Sequence, residues 1–102
     1  MKIFFYDQNL VNELHKLGDQ SSTKVFRAIE LLREFGNALR MPHSKKITTT
    51  LFELRTKGQE EIRLIYTFNK GTAVILHFFK KKTDKIPRKE IQTAENRRKI
   101  LK

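Results

Sequence analysis

Two periodicities divide this chain. Between residues 10 and 35 the apolar positions recur every three to four residues: Leu10, Val11, Leu14 and Leu17, then Val25, Phe26, Ile29, Leu32 and Phe35. That spacing predicts two amphipathic helices. Asp7 is placed to cap the first and Gly18 to end it, whereas the second starts near Ser21 or Ser22 and stops at Gly36. Because only a tight turn separates them, they should lie antiparallel with a shared apolar stripe. Ahead of them, "KIFFY" (2–6) predicts a short strand. From Leu51 onward the period becomes two, in "LFELRTK", "EIRLIYTF" and "TAVILHFFK", separated by breaks that contain glycine. This is the pattern of a three-stranded antiparallel meander. Residues 37–50 keep no period and contain Pro42, so they are expected to form a connecting loop. Pro87 suits the first turn of a last helix, "PRKEIQTAENRRKIL", whose apolar positions Ile91, Ala94 and Leu101 are sparse. Its docking should be the weakest in the molecule.

The expected architecture is α+β: a small antiparallel sheet, made of the meander and the N-terminal strand, packed against an N-terminal helical hairpin, with a short C-terminal helix. One domain should span residues 1–102, since the length suits one modest core. Alternation then assigns the faces of the sheet. Phe52, Leu54, Ile62, Leu64, Tyr66, Phe68, Val74, Leu76 and Phe78 are expected to meet the helices. Glu53, Arg55, Arg63, Ile65, Ile75, His77, Phe79 and Lys81 fall on the other side. If "NKG" (69–71) is a three-residue turn with Gly71 left-handed, Arg63 faces His77. If "GQE" (58–60) closes the other hairpin in the same way, Lys57 faces Glu61 and Arg55 faces Arg63. Two arginines directly opposite one another repel by up to about 1 kcal/mol unless an anion lies between them. Folding alone would not choose that pair.

Charge sharpens this reading. The net charge is +11, and it is uneven: residues 1–50 carry +3 and residues 51–102 carry +8. A basic second half favours polyanions such as RNA or DNA, ribosomes, or an acidic protein partner. After Phe79 the chain enters Lys80, Lys81 and Lys82, so the strand that borders the arginine row ends in movable point charges. The absence of cysteine excludes disulfides, thiolate chemistry and cysteine zinc sites. His15 and His43 show no metal-ligand spacing, and no glycine-rich phosphate loop or nucleophile elbow is present. No stretch approaches the roughly 20 apolar residues of a membrane span, and "MKIFFYD" meets an acid too early for a signal peptide. A cytoplasmic protein with no metal or cofactor is expected.

"LRMPHSKKI", "LFELR", "IRLIY", "ILHFFKKKTDK" and "PRKEI", in this order and spacing, resemble the RelE/HigB-like toxins of bacterial and phage-derived toxin–antitoxin modules, the phage-derived HigB-like subgroup in particular. The resemblance covers nearly the whole chain and is most specific over residues 39–97. It implies a RelE-like fold and an endoribonuclease that cleaves messenger RNA during translation on the ribosome. It also implies silencing by a cognate antitoxin, expected to be a helix-turn-helix DNA-binding protein. Arg55 and Arg63 match the family's basic sheet residues, Lys81, Lys82 and Thr83 match its "KKT" block, and His77 matches a histidine common in the subgroup. Ile86 departs from the pattern, because many relatives carry a Thr there that can cap the last helix.

A ribonuclease without metal needs a base for the ribose 2′-hydroxyl, cations for the phosphorane and an acid for the 5′-oxygen. Arg55 and Arg63 are the candidates for charge stabilisation, the alternative being two ordinary solvated arginines. His77 suits acid or base duty near neutral pH, and packing against Phe79 and Ile65 is an equally good account of it. Lys81 and Lys82 are candidates to share proton transfer. Lys57, Lys80, Thr83, Lys85, Lys45 and Lys46 are expected to hold RNA, and Glu53 to orient Arg63. Tyr66 falls on the core side and stays out of the active set. Two other readings compete: a ParE-like toxin of the same fold that poisons DNA gyrase, and a noncatalytic RNA- or ribosome-binding module.

Overall fold

The structure is a computed structural model that describes residues 1–58 and 60–101. The chain runs β1 (Lys2–Phe5), α1 (Gln8–His15), α2 (Asp19–Phe35), a 3-10 turn (Gly36–Ala38), β2 (Ser44–Lys46), β3 (Phe52–Arg55), β4 (Ile62–Asn69), β5 (Thr72–Lys80) and α3 (Arg88–Ile100). The strands form one sheet in the order β1-β5-β4-β3-β2. The architecture is α+β, as the periodicities predict, with two departures. β1 pairs parallel to β5, which makes the sheet mixed, and β2 adds a fifth strand from the stretch expected to be a loop. Three residues are too few to show an alternation; pairing with β3 is what defines that strand.

Local chemistry sets the helix ends. The Asp7 carboxylate accepts the Leu10 amide at 2.8 Å and starts α1. α2 begins at Asp19, shortly ahead of Ser21, with Gly18 as an extended cap that offers no side-chain bond. Gly36, at φ 51°, ends it through a left-handed backbone that a side chain would resist. α3 starts after Pro87 with no side-chain cap, in keeping with Ile86 in place of a capping residue.

Both faces of the sheet are covered. On one, Leu54, Ile62, Leu64, Tyr66, Ala73 and Ile75 meet Leu10, Leu14, Val25, Ile29 and Leu32 of the helical pair. On the other, Ile65, Val74, Leu76 and Phe79 pack under α3 through Ala94, with Ile86, Ile91 and Leu101 beside it. Val74 and Leu76 therefore lie opposite to the expected side, and Ile75 takes their place against the helices. The cause is in the hairpin. Asn69 pairs with Thr72 around a two-residue loop, with Lys70 and Gly71 both left-handed (φ 52° and 77°), which moves the register by one residue. A bulge beside Ile65 and Tyr66 moves it by one more and restores the expected facing of Phe78. Arg63 thus faces Phe79, and His77 faces Ile65.

Candidate phosphate-binding cleft

Arg55 pairs with Arg63 across β3 and β4, as the sequence predicts. The turn assigned to residues 58–60 includes Gln59, which lies outside the described residues. The side chains of both arginines lie on the α3 side and approach a single carboxylate: Arg55 Nε is 3.5 Å from Glu53 Oε1, and Arg63 Nε is 3.6 Å from Glu53 Oε2. The anion that reconciles the two guanidinium groups is thus a side chain of the protein itself. These contacts exceed hydrogen-bond length, and Glu53 Oε2 and both Nε atoms stay without a hydrogen-bond partner.

The two arginines differ in exposure. Arg63 is 1% exposed; its Nη1 donates to the Thr56 and Ile62 carbonyls at 2.8 and 3.2 Å, and its Nη2 to Glu61 at 3.1 Å. Such a guanidinium is engaged by the fold and does not line the cleft, in contrast to the shared clasp expected of the two arginines. Arg55 is 18% exposed and opens on a cleft of about 300 Å³. The cations around this cleft are Lys45, Lys46, Arg55, Lys81 and Lys85. Its carboxylates are Glu53 and Asp84, and Ile47, Ile86 and Ile91 form an apolar wall. Ile86 thus serves the cleft and the α3 packing where a capping residue is missing.

Each cation arrives by a different route. Lys45 pairs with Glu53 in the β2–β3 ladder, which turns it to the cleft side. Beyond the end of β5, the Lys81 amide donates to the Glu61 carbonyl at 2.8 Å, extending the strand's course by one residue and leaving its side chain on the cleft side. The Thr83 hydroxyl donates to the Lys85 carbonyl at 2.7 Å and braces the loop that carries Lys85. Among the described residues none of Lys45, Lys46, Lys81 and Lys85 has an ion-pair partner. Five cations against two carboxylates leave the concavity with an excess of positive charge, which favours a bound anion.

Other predicted site residues lie elsewhere. Lys80 stands beside Ile62 on the helical side and pairs with Glu60 at 3.3 Å. Lys57, Lys82 and Thr83 are exposed and do not line the cleft. His77 does not line it either: its Nε2 lies 2.8 Å from Glu90 Oε1 of α3, and its ring stacks on Phe79. The packed histidine foreseen as the alternative is the arrangement found. Asp84 is the cleft residue that sequence reasoning missed, although it stands inside the "KKTDK" stretch that carries the resemblance. Tyr66 is buried on the core side with its hydroxyl hydrogen-bonded to Ser44, and burial raises its pKa above the ordinary tyrosine value.

Residues 12–99 match the family described as phage derived protein Gp49-like (DUF891). The chain belongs to that family. It is a family of RelE-like toxins of toxin–antitoxin modules, which suggests an antitoxin as a partner. The match begins within α1 and runs through α2, β2 to β5 and most of α3, leaving β1 outside it, and it includes every residue of the cleft. A search of the curated proteins found no match. No helix among the described residues is long and apolar enough to cross a membrane.

Proposed function

We propose that this chain is a metal-independent endoribonuclease toxin that cuts messenger RNA, on the ribosome, with the scissile phosphate held in the cleft between β2, β3 and the 81–86 segment. The observation that carries the reading is the convergence of Arg55 with four unpaired lysines over a buried carboxylate. In the reaction the ribose 2′-oxygen attacks phosphorus, the bond to the 5′-oxygen breaks, and a 2′,3′-cyclic phosphate and a 5′-hydroxyl end result. No water is consumed in this step. Arg55 and Lys81 neutralise the charge that builds on the phosphorane, and Glu53 holds Arg55 in place by charge. Asp84 takes the proton of the 2′-hydroxyl, and a cleft lysine supplies one to the leaving oxygen. Inhibition of translation follows from loss of intact message, and a helix-turn-helix antitoxin that covers the cleft would silence it in the bacterial cytoplasm.

A second reading has one observation in its favour. His77 and Arg63, both expected in the chemistry, are engaged outside the cleft, and a basic cleft without them suits a noncatalytic RNA- or ribosome-binding toxin. Mapping transcript ends from translation reactions separates the two. The nuclease reading expects new cuts within codons, ending in cyclic phosphates, that Arg55→Ala abolishes while its circular dichroism shows the protein still folded. Stalled translation with intact message would support the binding module instead, and relaxed or broken DNA a gyrase poison. Wild-type cutting by Arg55→Ala would reject the cleft as the active site.

A further inference from the structure

β2 separates two clefts. Along this edge strand Lys45 pairs with Glu53 and Lys46 with Phe52, so successive lysines point to opposite faces of the sheet. The cleft on the α3 side has been described. On the helical side lies a second one, about 440 Å³, with walls of Phe52 and Phe68, a floor at Ser44, and a rim of Asn37, Arg40 and Lys46. Lys46 lines both clefts, so the two meet at this residue on the sheet edge.

The chemistry of the second cleft differs from that of the first. Phe52, Phe68 and Tyr66 form an aromatic group with ring centroids 5.1 to 5.6 Å apart, but only Tyr66 is fully buried. Phe52 and Phe68 are only half-buried against the helical-side core and both line this cleft. Arg40 is exposed, held by its Nη1 on the Asn37 and Leu39 carbonyls, which positions a planar cation at the mouth. Aromatic walls, a guanidinium, an amide and a lysine beside a phosphate cleft are the elements that bind an unpaired base of single-stranded RNA.

We propose that the Phe52/Phe68 cleft is a nucleobase subsite, which stacks a base of the strand whose neighbouring phosphate occupies the Arg55 cleft. The strand would pass over β2, with Lys46 on the linkage between the two sites. This rests on the RNA reading above and adds a prediction of its own: part of the affinity must come from a base and not from the phosphate backbone.

The test uses the full chain and a fluorescent single-stranded 2′-O-methyl RNA, which lacks the attacking hydroxyl and stays intact, beside the same backbone made abasic. Wild-type protein should bind the intact oligonucleotide roughly 5- to 100-fold more tightly than the abasic one. Phe68→Leu keeps apolar volume but removes the ring, and it should bring that ratio close to one. Arg55→Ala should weaken both oligonucleotides alike and leave the ratio unchanged. Where Phe68→Leu does not fold, Arg40→Gln at the exposed rim carries the same comparison and should lower the ratio about 2- to 5-fold. An unchanged ratio in these variants, with Arg55→Ala still weakening both, overturns the base subsite and leaves the phosphate cleft standing. Binding insensitive to Arg55→Ala and to the base alike overturns the RNA reading and the subsite with it. A cleft that accepts a peptide side chain would also show no dependence on the base, and so counts against the subsite.

Discussion

The two faces of the sheet are both buried, but by different means. Under α1 and α2 the contacts are almost wholly aliphatic and aromatic, from Leu14 and Leu32 to the Phe52–Tyr66–Phe68 group. Under and beside α3 a small apolar cluster is interrupted by charge: Glu53 between two arginines, His77 on Glu90, and Arg97, which donates to the Leu76 carbonyl at 2.7 Å and lies over the Tyr6 ring. Hydrophobic burial is non-directional and tolerates many arrangements. Buried charge is specific, because each group must find its partner or destabilise the fold. The first face accounts for why the chain folds, and the second for why a cationic cleft can exist at its edge.

Arg63 and Arg55 give the sharpest test of that division. They are paired in register, yet one is inside and the other lines the cleft. Arg63→Ala leaves Glu53, 3% exposed, without one of its two cations and the Thr56 carbonyl without its Arg63 donor, while the Ile62 carbonyl keeps the Thr56 amide and hydroxyl. Breaking a buried charged network of this kind should cost about 3–5 kcal/mol, visible as a lower urea midpoint with an unchanged slope. A variant that melts like wild type would make the two arginines equivalent and erase the distinction. On the aliphatic face Leu32→Ala should cost about 2–5 kcal/mol by transfer and cavity terms. Its effect on RNA affinity, measured where the protein is folded, should be negligible, since Leu32 lines neither cleft.

The sequence made the faces legible only where alternation is clean. "FELR" alternates cleanly and "IRLIY" does so as far as Leu64, and so the core placement of Leu54, Leu64 and Tyr66 follows from a period of two, whereas the Arg55–Arg63 pairing was counted from the turn assigned to residues 58–60. "AVIL" is apolar at every position because both faces of β5 are buried, and such a run carries no parity. The register there depends on a left-handed Lys70 and on a bulge, neither of which has a sequence signature in this chain. That is why counting inward from the turn places His77 beside Arg63, whereas it lies beside Ile65. Of the "KKT" block and the two arginines that marked the basic cluster, Lys81 and Arg55 line the cleft and Lys82, Thr83 and Arg63 do not. Which of the two arginines would be consumed by the fold was not legible, because Arg63 and Arg55 are the same residue type on equivalent strand positions. Only the neighbouring Thr56, Ile62 and Glu61 acceptors distinguish them.

The smallest expected effect concerns a polar pair on the otherwise apolar helical face. Tyr66 is 1% exposed, and its hydroxyl bonds that of Ser44 at the edge strand. Burial holds the phenol's pKa above its ordinary value of 10.0, against smaller opposing contributions from Ser44 and from the nearby Arg40 charge. The folded state therefore favours the protonated phenol. Its contribution to stability is complete below the unfolded value near 10 and is lost as pH rises through the higher folded value. Tyr66→Phe should cost about 0.5–1.5 kcal/mol at pH 7 through the lost hydrogen bond. It should also remove this alkaline loss, so that the difference between wild type and variant narrows between about pH 9 and pH 11 in urea titrations. Contributions common to both proteins cancel in the difference. A difference constant across that range would mean that the Tyr66 phenolate is accommodated, and the helical face would then hold charge as readily as the face that carries Glu53.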